Sequence, residues 1–275
     1  MFSNMNSIAV LLPVYGGDNS EYLEKAIESI LSQTYNNIDL IILADGPLNH
    51  KLARVIQGVE KQLKIVIRNE KNKGLAHILN RGVEYCLERN YNFIGRMDAD
   101  DLSMTERFQK QIEYLLAHPE IDVVGGAIEE IDSQGNRRDK VIKYPIAHEE
   151  CFRFFAKRDP LAHPAVLFRK SYFEKAGLYD EGFRKNQDTQ LWFHGFKNQC
   201  QFANIPEVVL QLRMNDDFFK SRRGGYKRAL KIFKQRSHIN RELGYGVGAR
   251  LFALGMFLLT ISPAGIRKLA YTYLR

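Results

Sequence analysis

The chain has 275 residues, 45% hydrophobic and 26% charged, with a formal net charge of +8. That balance excludes a disordered chain and suffices to bury the core of one large or two small domains. Three widely spaced cysteines, Cys86, Cys151 and Cys200, form no CxxC pair, so no disulfide framework is expected and a reducing cytoplasm suits them.

The first element is the apolar run Ile8–Leu12, which ends at Pro13; no basic stretch precedes it, so it reads as a strand and not as a signal peptide. Leu23, Ile27, Ile30 and Leu31 recur at helical spacing, Ile38–Leu43 is an isoleucine-rich strand, and Leu52, Val55, Ile56, Val59 and Leu63 return to the helical period. Ile65–Ile67 is strand-like, Leu75, Leu79, Val83 and Cys86 mark a third helix, and Phe93–Met97 is a further strand. Strands alternating with helices predict βαβ units and a parallel sheet. Ser103 and Glu106 form the pattern of a capping box opening a helix to about His118. The second half is less regular. Asp122–Ile131 reads as strand, Ser133–Asn136 as a turn, Val141–Tyr144 and His163–Phe168 as strands, and Asp188–Lys197 as a helix.

Charge is concentrated. Between Phe218 and Arg241 there are nine Lys/Arg and no Asp/Glu, so this segment exceeds the total and the rest of the chain sums to −1. The opposite sign collects at Gly95-Arg96-Met97-Asp98-Ala99-Asp100-Asp101, directly after a strand. Such sheets bind ligands beyond the carboxyl ends of their strands. Three carboxylates there suit a solvated loop or a hard cation such as Mg²⁺, Mn²⁺ or Ca²⁺. An EF-hand fails because Leu102 and Ser103 occupy its fifth and sixth positions, and Leu102 also departs from the D-x-D-x-T/V phosphatase pattern. A strand-end D-x-D holding a divalent ion against a nucleotide diphosphate fits best.

Further motifs accompany it. Leu11-Leu12-Pro13-Val14-Tyr15 and Leu43-Ala44-Asp45-Gly46 end two strands, and Asn72-Lys73-Gly74-Leu75-Ala76 opens a helix. His163-Pro164-Ala165-Val166 and Gln187-Asp188-Thr189-Gln190-Leu191-Trp192 follow later. In this order and spacing the chain resembles the inverting glycosyltransferases of family 2, which have the GT-A fold. Among these it is most similar to bacterial enzymes that build exopolysaccharide and O-antigen repeat units. The resemblance spans roughly residues 7–215. It implies an α/β fold with a Rossmann-like, mostly parallel central sheet. Residues 1–215 would form the catalytic domain, with a nucleotide-sugar part to about 102 and an acceptor part from about 103. Residues 216–275 would form a basic, amphipathic helical extension.

The resemblance also implies roles. Asp45 matches the aspartate that recognises uracil, although Ala44 stands where the family usually has a second acid. Pro13, Val14 and Tyr15 match the loop lining base and ribose, and Lys73 and Gly74 approach the nucleotide. Asp100 matches the direct metal ligand and Asp98 the residue on ribose or the metal's water shell, with Mn²⁺ or Mg²⁺ as the ion. Asp101 caps the next helix or meets the acceptor. Asp188 matches the catalytic base, with Gln187 in place of the family's glutamate. His163 and Trp192 match positions near the acceptor, with a structural histidine and a core tryptophan as alternatives. Arg213, Arg222 and Arg223 are candidates for the pyrophosphate, since arginine offers bidentate donors; Asn215 replaces the histidine of the usual R-x-H.

Leu251–Ser262 is an uncharged, mostly apolar run, shorter than the roughly 20 residues a bilayer span requires. Beside the basic segment it reads as an interfacial helix at the inner face of a bacterial inner membrane, or alternatively as a core helix. No nucleic-acid-binding motif accompanies the basic residues. The implied activity is transfer of a hexose, galactose or glucose and possibly N-acetylated, from a UDP-sugar to a polyprenyl-diphosphate-linked saccharide. A sugar-nucleotide pyrophosphorylase is an alternative, but Tyr15-Gly16-Gly17-Asp18 lacks the basic residues of its loop; an inactive membrane scaffold is another, against which Asp100 and Asp188 both stand.

Overall fold

A computed structural model describes residues 6–214 and 226–262. In chain order it has β1 (Ile8–Tyr15), α1 (Ser20–Leu31), β2 (Ile38–Asp45), α2 (His50–Gly58), β3 (Ile65–Asn69), α3 (Leu75–Glu88) and β4 (Phe93–Arg96). There follow β5 (Leu102–Ser103), α4 (Arg107–Ala117), β6 (Val123–Ile131), β7 (Arg137–Ile142), α5 (His148–Phe155), β8 (Leu167–Arg169), α6 (Lys170–Ala176), α7 (Gln187–Lys197) and β9 (Phe202–Arg213). Two further helices are α8 (Tyr226–Glu242) and α9 (Val247–Ile261).

The sheet runs β3-β2-β1-β4-β8-β6-β9-β5, with β7 paired to β6. The β3-β2-β1-β4 half is parallel, as the alternation predicts. Beyond it, β8 is antiparallel to both β4 and β6, while β6 and β9 run parallel. Register sets the site: Tyr15 lies opposite Asp45, Asp45 opposite Asn69, and Leu11 opposite Arg96. The carboxyl ends of β1, β2, β3 and β4 therefore reach one edge. β1 is buried through seven residues, as a strand covered on both faces by crossover helices must be.

Two expectations from the sequence are corrected. The capping box does not form. Ser103 belongs to β5, paired with Leu210; its N–H donates to Ser29 Oγ and its hydroxyl accepts from Gln33 Nε2. Sheet pairing overrides the local cap, and Glu106 precedes α4 without a capping bond. The strand expected at His163–Phe168 begins as a 3₁₀ turn over His163–Ala165 and becomes β8 only at Leu167.

Contacts divide the chain into two compact units. One comprises the residues up to Cys151 with Asp159–Met214 and carries the sheet; the other comprises Phe152–Arg158 with the segment beyond Met214. Within the second unit, Arg236 donates to the Phe155 carbonyl and the rings of Phe233 and Phe257 lie 5.5 Å apart, joining α8 to α9. Among the described residues, no helix is long and apolar enough to cross a membrane.

Candidate active site

At the end of β2 the buried Asp45 carboxylate accepts from Asn69 Nδ2 (2.8 Å) and from the backbone N–H of Lys73 (2.9 Å) and Gly74 (2.8 Å). Both oxygens are thereby committed to the loop between β3 and α3. Asp45 shapes that loop, a different immediate task from the base recognition expected of it. Gly46 (φ 89°) and Gly74 (φ 100°) occupy left-handed backbone, and a Cβ on Gly46 would meet the Asn72 amide nitrogen at 2.6 Å, so glycine is required there. Pro13 and Val14 are buried within β1, Val14 in the hydrophobic core, so they do not line an open surface. Tyr15 is 50% exposed at the carboxyl end of β1. The Lys73 side chain is exposed at the same edge.

The acidic turn is braced from beneath by two buried arginines. Arg107 donates through Nη2 to the carbonyls of Arg96 (2.8 Å) and Val166 (3.2 Å), and burial pushes its pKa down to about 9. Arg96 grips Asp98 through both terminal nitrogens. Asp100 keeps a carboxylate with no side-chain donor among the described residues; burial, then the charge of Asp98, raises it to about 6. Its backbone carbonyl accepts from Arg213 Nε at 2.8 Å.

Asp101 turns inward. It is buried, and Oδ1 accepts the Arg213 N–H at 2.9 Å. It caps no helix and does not face an acceptor, because β5 draws this residue under β9. Arg213 is buried as well, donating to the carbonyls of Asp100, Asp132 and Ser133 and lying over the Tyr22 ring at 4.2 Å. It fastens the acidic turn instead of standing free for a pyrophosphate. Arg222 and Arg223 lie outside the described residues.

Oxygens of Asp98, Asp100 and Asp101 lie within 4.8 Å of one another. Hard oxygen donors of this kind fit Mg²⁺ or Mn²⁺. Asp101 Oδ2 is buried with no hydrogen-bond partner among the described residues, an oxygen that a cation would satisfy. Sequence reasoning missed a fourth carboxylate, Asp18. Its Oδ2 accepts the Tyr15 N–H at 2.9 Å, and burial, with the charges of Asp100 and Asp98, raises it to about 7. A Gly-Gly-Asp turn carries no signal of that proximity.

Because these folded-state pKa values lie above the ordinary carboxylate value, the stability they confer is fully present only below that value, about 4, and is lost progressively as pH rises from there through 6–7. Melting in EDTA should therefore show Asp18→Asn more stable than wild type at pH 8, by a margin that shrinks at pH 5 and closes only below about pH 4. The rise in Tm on adding Mn²⁺ to wild type should be larger at pH 8 than at pH 5; equal shifts at both would contradict the linkage.

The second centre is the start of α7. Asn186 enters it in the left-handed region (φ 60°), and Asp188 Oδ1 accepts the Thr189 N–H at 2.9 Å. Burial and the charge of Asp159 raise Asp188 to about 6. Asp159, also missed in the sequence, accepts from Thr189 Oγ1 at 2.7 Å, bringing a second acid beside a helix start that carries Gln187 in place of glutamate. The Gln187 Oε1 is buried without a partner among the described residues.

Two expected acceptor contacts are corrected. Trp192 is fully buried among Phe168, Tyr172, Phe202 and His163, on the inward face of α7. His163 is buried and bonded to Tyr179 Oη at 2.8 Å, and burial holds its pKa well below the usual value. The charge of Arg96 favours the ionised form of both Asp100 and Asp188, so both carboxylates lie within reach of its field. A cleft of about 790 Å³ lined by Asn37, Asn92, Phe93 and Arg169 opens at the opposite end of β1 and β4, away from these carboxylates.

A parallel half-sheet whose edge carries a D-x-D turn, with a buried carboxylate at the start of a later helix, is the layout of a GT-A glycosyltransferase. S. aureus TarS 1–349 in complex with UDP-GlcNAc shares the fold, with a TM-score of 0.62, 14% identity, and coverage of 94% of this chain and 82% of that one. The chain belongs to glycosyl transferase family 2, whose model matches residues 9–177. It is 35% identical over 217 residues to the amylovoran biosynthesis glycosyltransferase AmsE of Erwinia amylovora, covering 78% of this chain and 79% of that protein. It is 28% identical over 242 residues to the UDP-Gal:α-D-GlcNAc-diphosphoundecaprenol β-1,3-galactosyltransferase of Escherichia coli, covering 88% and 86%.

Proposed function

We propose that this glycosyltransferase moves a hexose, with inversion, from a UDP-sugar to a sugar hydroxyl of a polyprenyl-diphosphate-linked saccharide, during assembly of a bacterial surface polysaccharide at the inner face of the inner membrane. The observation that carries the reading is the carboxylate cluster at the end of β4, where oxygens of Asp98, Asp100 and Asp101 lie within 4.8 Å of one another, together with the buried carboxylate of Asp188 at the start of α7. The amylovoran and undecaprenol-diphosphate relatives support the substrate class, and the UDP-GlcNAc bound by TarS supports a UDP-sugar donor.

In an inverting transfer the acceptor oxygen forms its bond to the anomeric carbon as the bond to UDP breaks. Asp188 takes the acceptor's proton, and the electron pair of the broken bond leaves with UDP. A carboxylate near pKa 6 is ionised at neutral pH yet basic enough to help. Asp98 and Asp100 would hold a divalent cation, which when bound would supply neutralisation of the charge that grows on the diphosphate. Exposed Tyr15 and Lys73 lie on the edge that would receive the nucleotide. Asp45 holds the loop that carries Lys73.

The test is UDP release over UDP-Gal, UDP-Glc and their N-acetyl forms, with a short polyprenyl-diphosphate-linked GlcNAc acceptor and Mn²⁺. One UDP-hexose should be turned over well above the others, and only with acceptor present. Release from none of them would overturn the donor class.

A further inference from the structure

In α9 the polarity of a helix in water is reversed. Val247, Leu251, Leu254, Leu258 and Ile261 are 68%, 64%, 43%, 54% and 43% exposed. Their spacing of four, three, four and three residues places all five on one stripe. Away from the stripe only Ala249 and Ala253 are fully buried, with Phe252 and Phe257 half-buried. Arg250 is the single charged residue of the helix. A monomer in water gains nothing from presenting five large aliphatics while hiding two alanines.

The neighbouring helix supplies charge. α8 carries Lys227, Arg228, Lys231, Lys234, Arg236 and Arg241 against Glu242 alone. Its Phe233 and Tyr226 rings meet Phe257 of α9 at 5.5 and 6.0 Å, so basic and apolar elements form one hairpin. At 1.5 Å per residue, α9 is roughly 22 Å long, too short to span a bilayer and suited to lying in its interface.

We propose that the α8–α9 hairpin docks on an anionic lipid surface, with the stripe Val247–Leu251–Leu254–Leu258–Ile261 in the acyl boundary and the basic residues of α8 drawn to the headgroups. The proposal deepens the membrane location given above and rests on it. Charge complementarity selects this occupant, because basic residues beside an anionic leaflet are attracted within a Debye length. A second copy would also seek an aliphatic stripe of this period, but a paired seam is normally flanked by complementary charges. Gly248, Gly255 and Ser262 stand along one flank, and no acid lies anywhere in α9 to answer Arg250.

The test is co-sedimentation of the full chain with phosphatidylglycerol vesicles and with pure phosphatidylcholine vesicles. Wild type should bind the former, and binding should weaken at high salt. The double variant Leu251→Ser/Leu258→Ser should lose at least tenfold in vesicle affinity while keeping wild-type Tm and calorimetric UDP binding with Mn²⁺. Leu258→Trp, in case the double variant misfolds, should add to the emission of the buried Trp192 a component that shifts to the blue on phosphatidylglycerol vesicles and is quenched by brominated lipid. Unchanged sedimentation of a folded double variant, or an added indole that brominated lipid leaves unquenched, would overturn the proposal. So would a chain that is dimeric in solution, becomes monomeric in the double variant and ignores vesicles. UDP binding retained without vesicle binding would sink the docking hairpin alone and leave the transferase reading standing.

Discussion

Asp100→Ala should abolish turnover, by roughly three decades or more, in a protein that remains folded. A cation at a departing phosphate supplies several kcal/mol of charge stabilisation, and about 1.4 kcal/mol is a factor of ten in rate. The fold should tolerate the change because Arg213 holds Asp100 through its backbone carbonyl, which alanine keeps. Stability at neutral pH should even rise slightly. The lost carboxylate is one that burial and Asp98 disfavour, so its removal relieves repulsion that the metal-free protein bears. EDTA should reproduce the loss in wild type, and Mn²⁺ or Mg²⁺ should restore it. Full activity in EDTA, measured as UDP release, would remove the cation from the mechanism.

Asp188→Asn should cost about two or more decades in kcat, the usual worth of a positioned general base. The asparagine carbonyl can still accept the Thr189 N–H, so α7 should begin as before and Tm should not fall. Donor KM should change little, since the lost interaction forms only as the acceptor's proton moves. The pH profile carries an independent signature. Asp188 must be ionised to act, so wild-type kcat/KM should fall as pH drops below about 6. At saturating Mn²⁺, which keeps Asp100 ionised, that limb should be missing from the residual activity of the variant. Near wild-type turnover, or an acid limb that survives the substitution, would remove Asp188 from the base role.

The sequence was most legible where local pattern and global fold agree. The β1–β4 alternation follows from runs such as Ile8–Leu12 and Ile38–Leu43, which have no polar face to turn outward and so read as doubly covered strands. The D-x-D turn was legible only in company: alone it suits a solvated loop equally well, and the strand-end and helix-start motifs around Asp45, Lys73 and Asp188 decided for a cation. β9 was not, because Pro206 and Glu207 interrupt its apolar run near the point where its pairing with β6 shifts register. α5 and α6 are too short to show a helical period clearly.

At the site, residue type misled where burial decided the role. Arg213 and Trp192 belong to types that bind phosphates and sugars, yet both are consumed by the fold, one by carbonyls and one by aromatic packing. Asp18 and Asp159 were invisible for the converse reason. Each stands in an ordinary loop, and only tertiary approach brings it beside Asp100 or Asp188.

The central claim is a single displacement at the anomeric carbon with Asp188 as the base. Proton NMR of the product formed from an α-linked UDP-hexose tests it most directly, through the coupling between the first two protons of the transferred sugar. A large coupling, the mark of a β-linked glucose or galactose, is the predicted result. A small coupling, reporting a retained α-linkage, would contradict it.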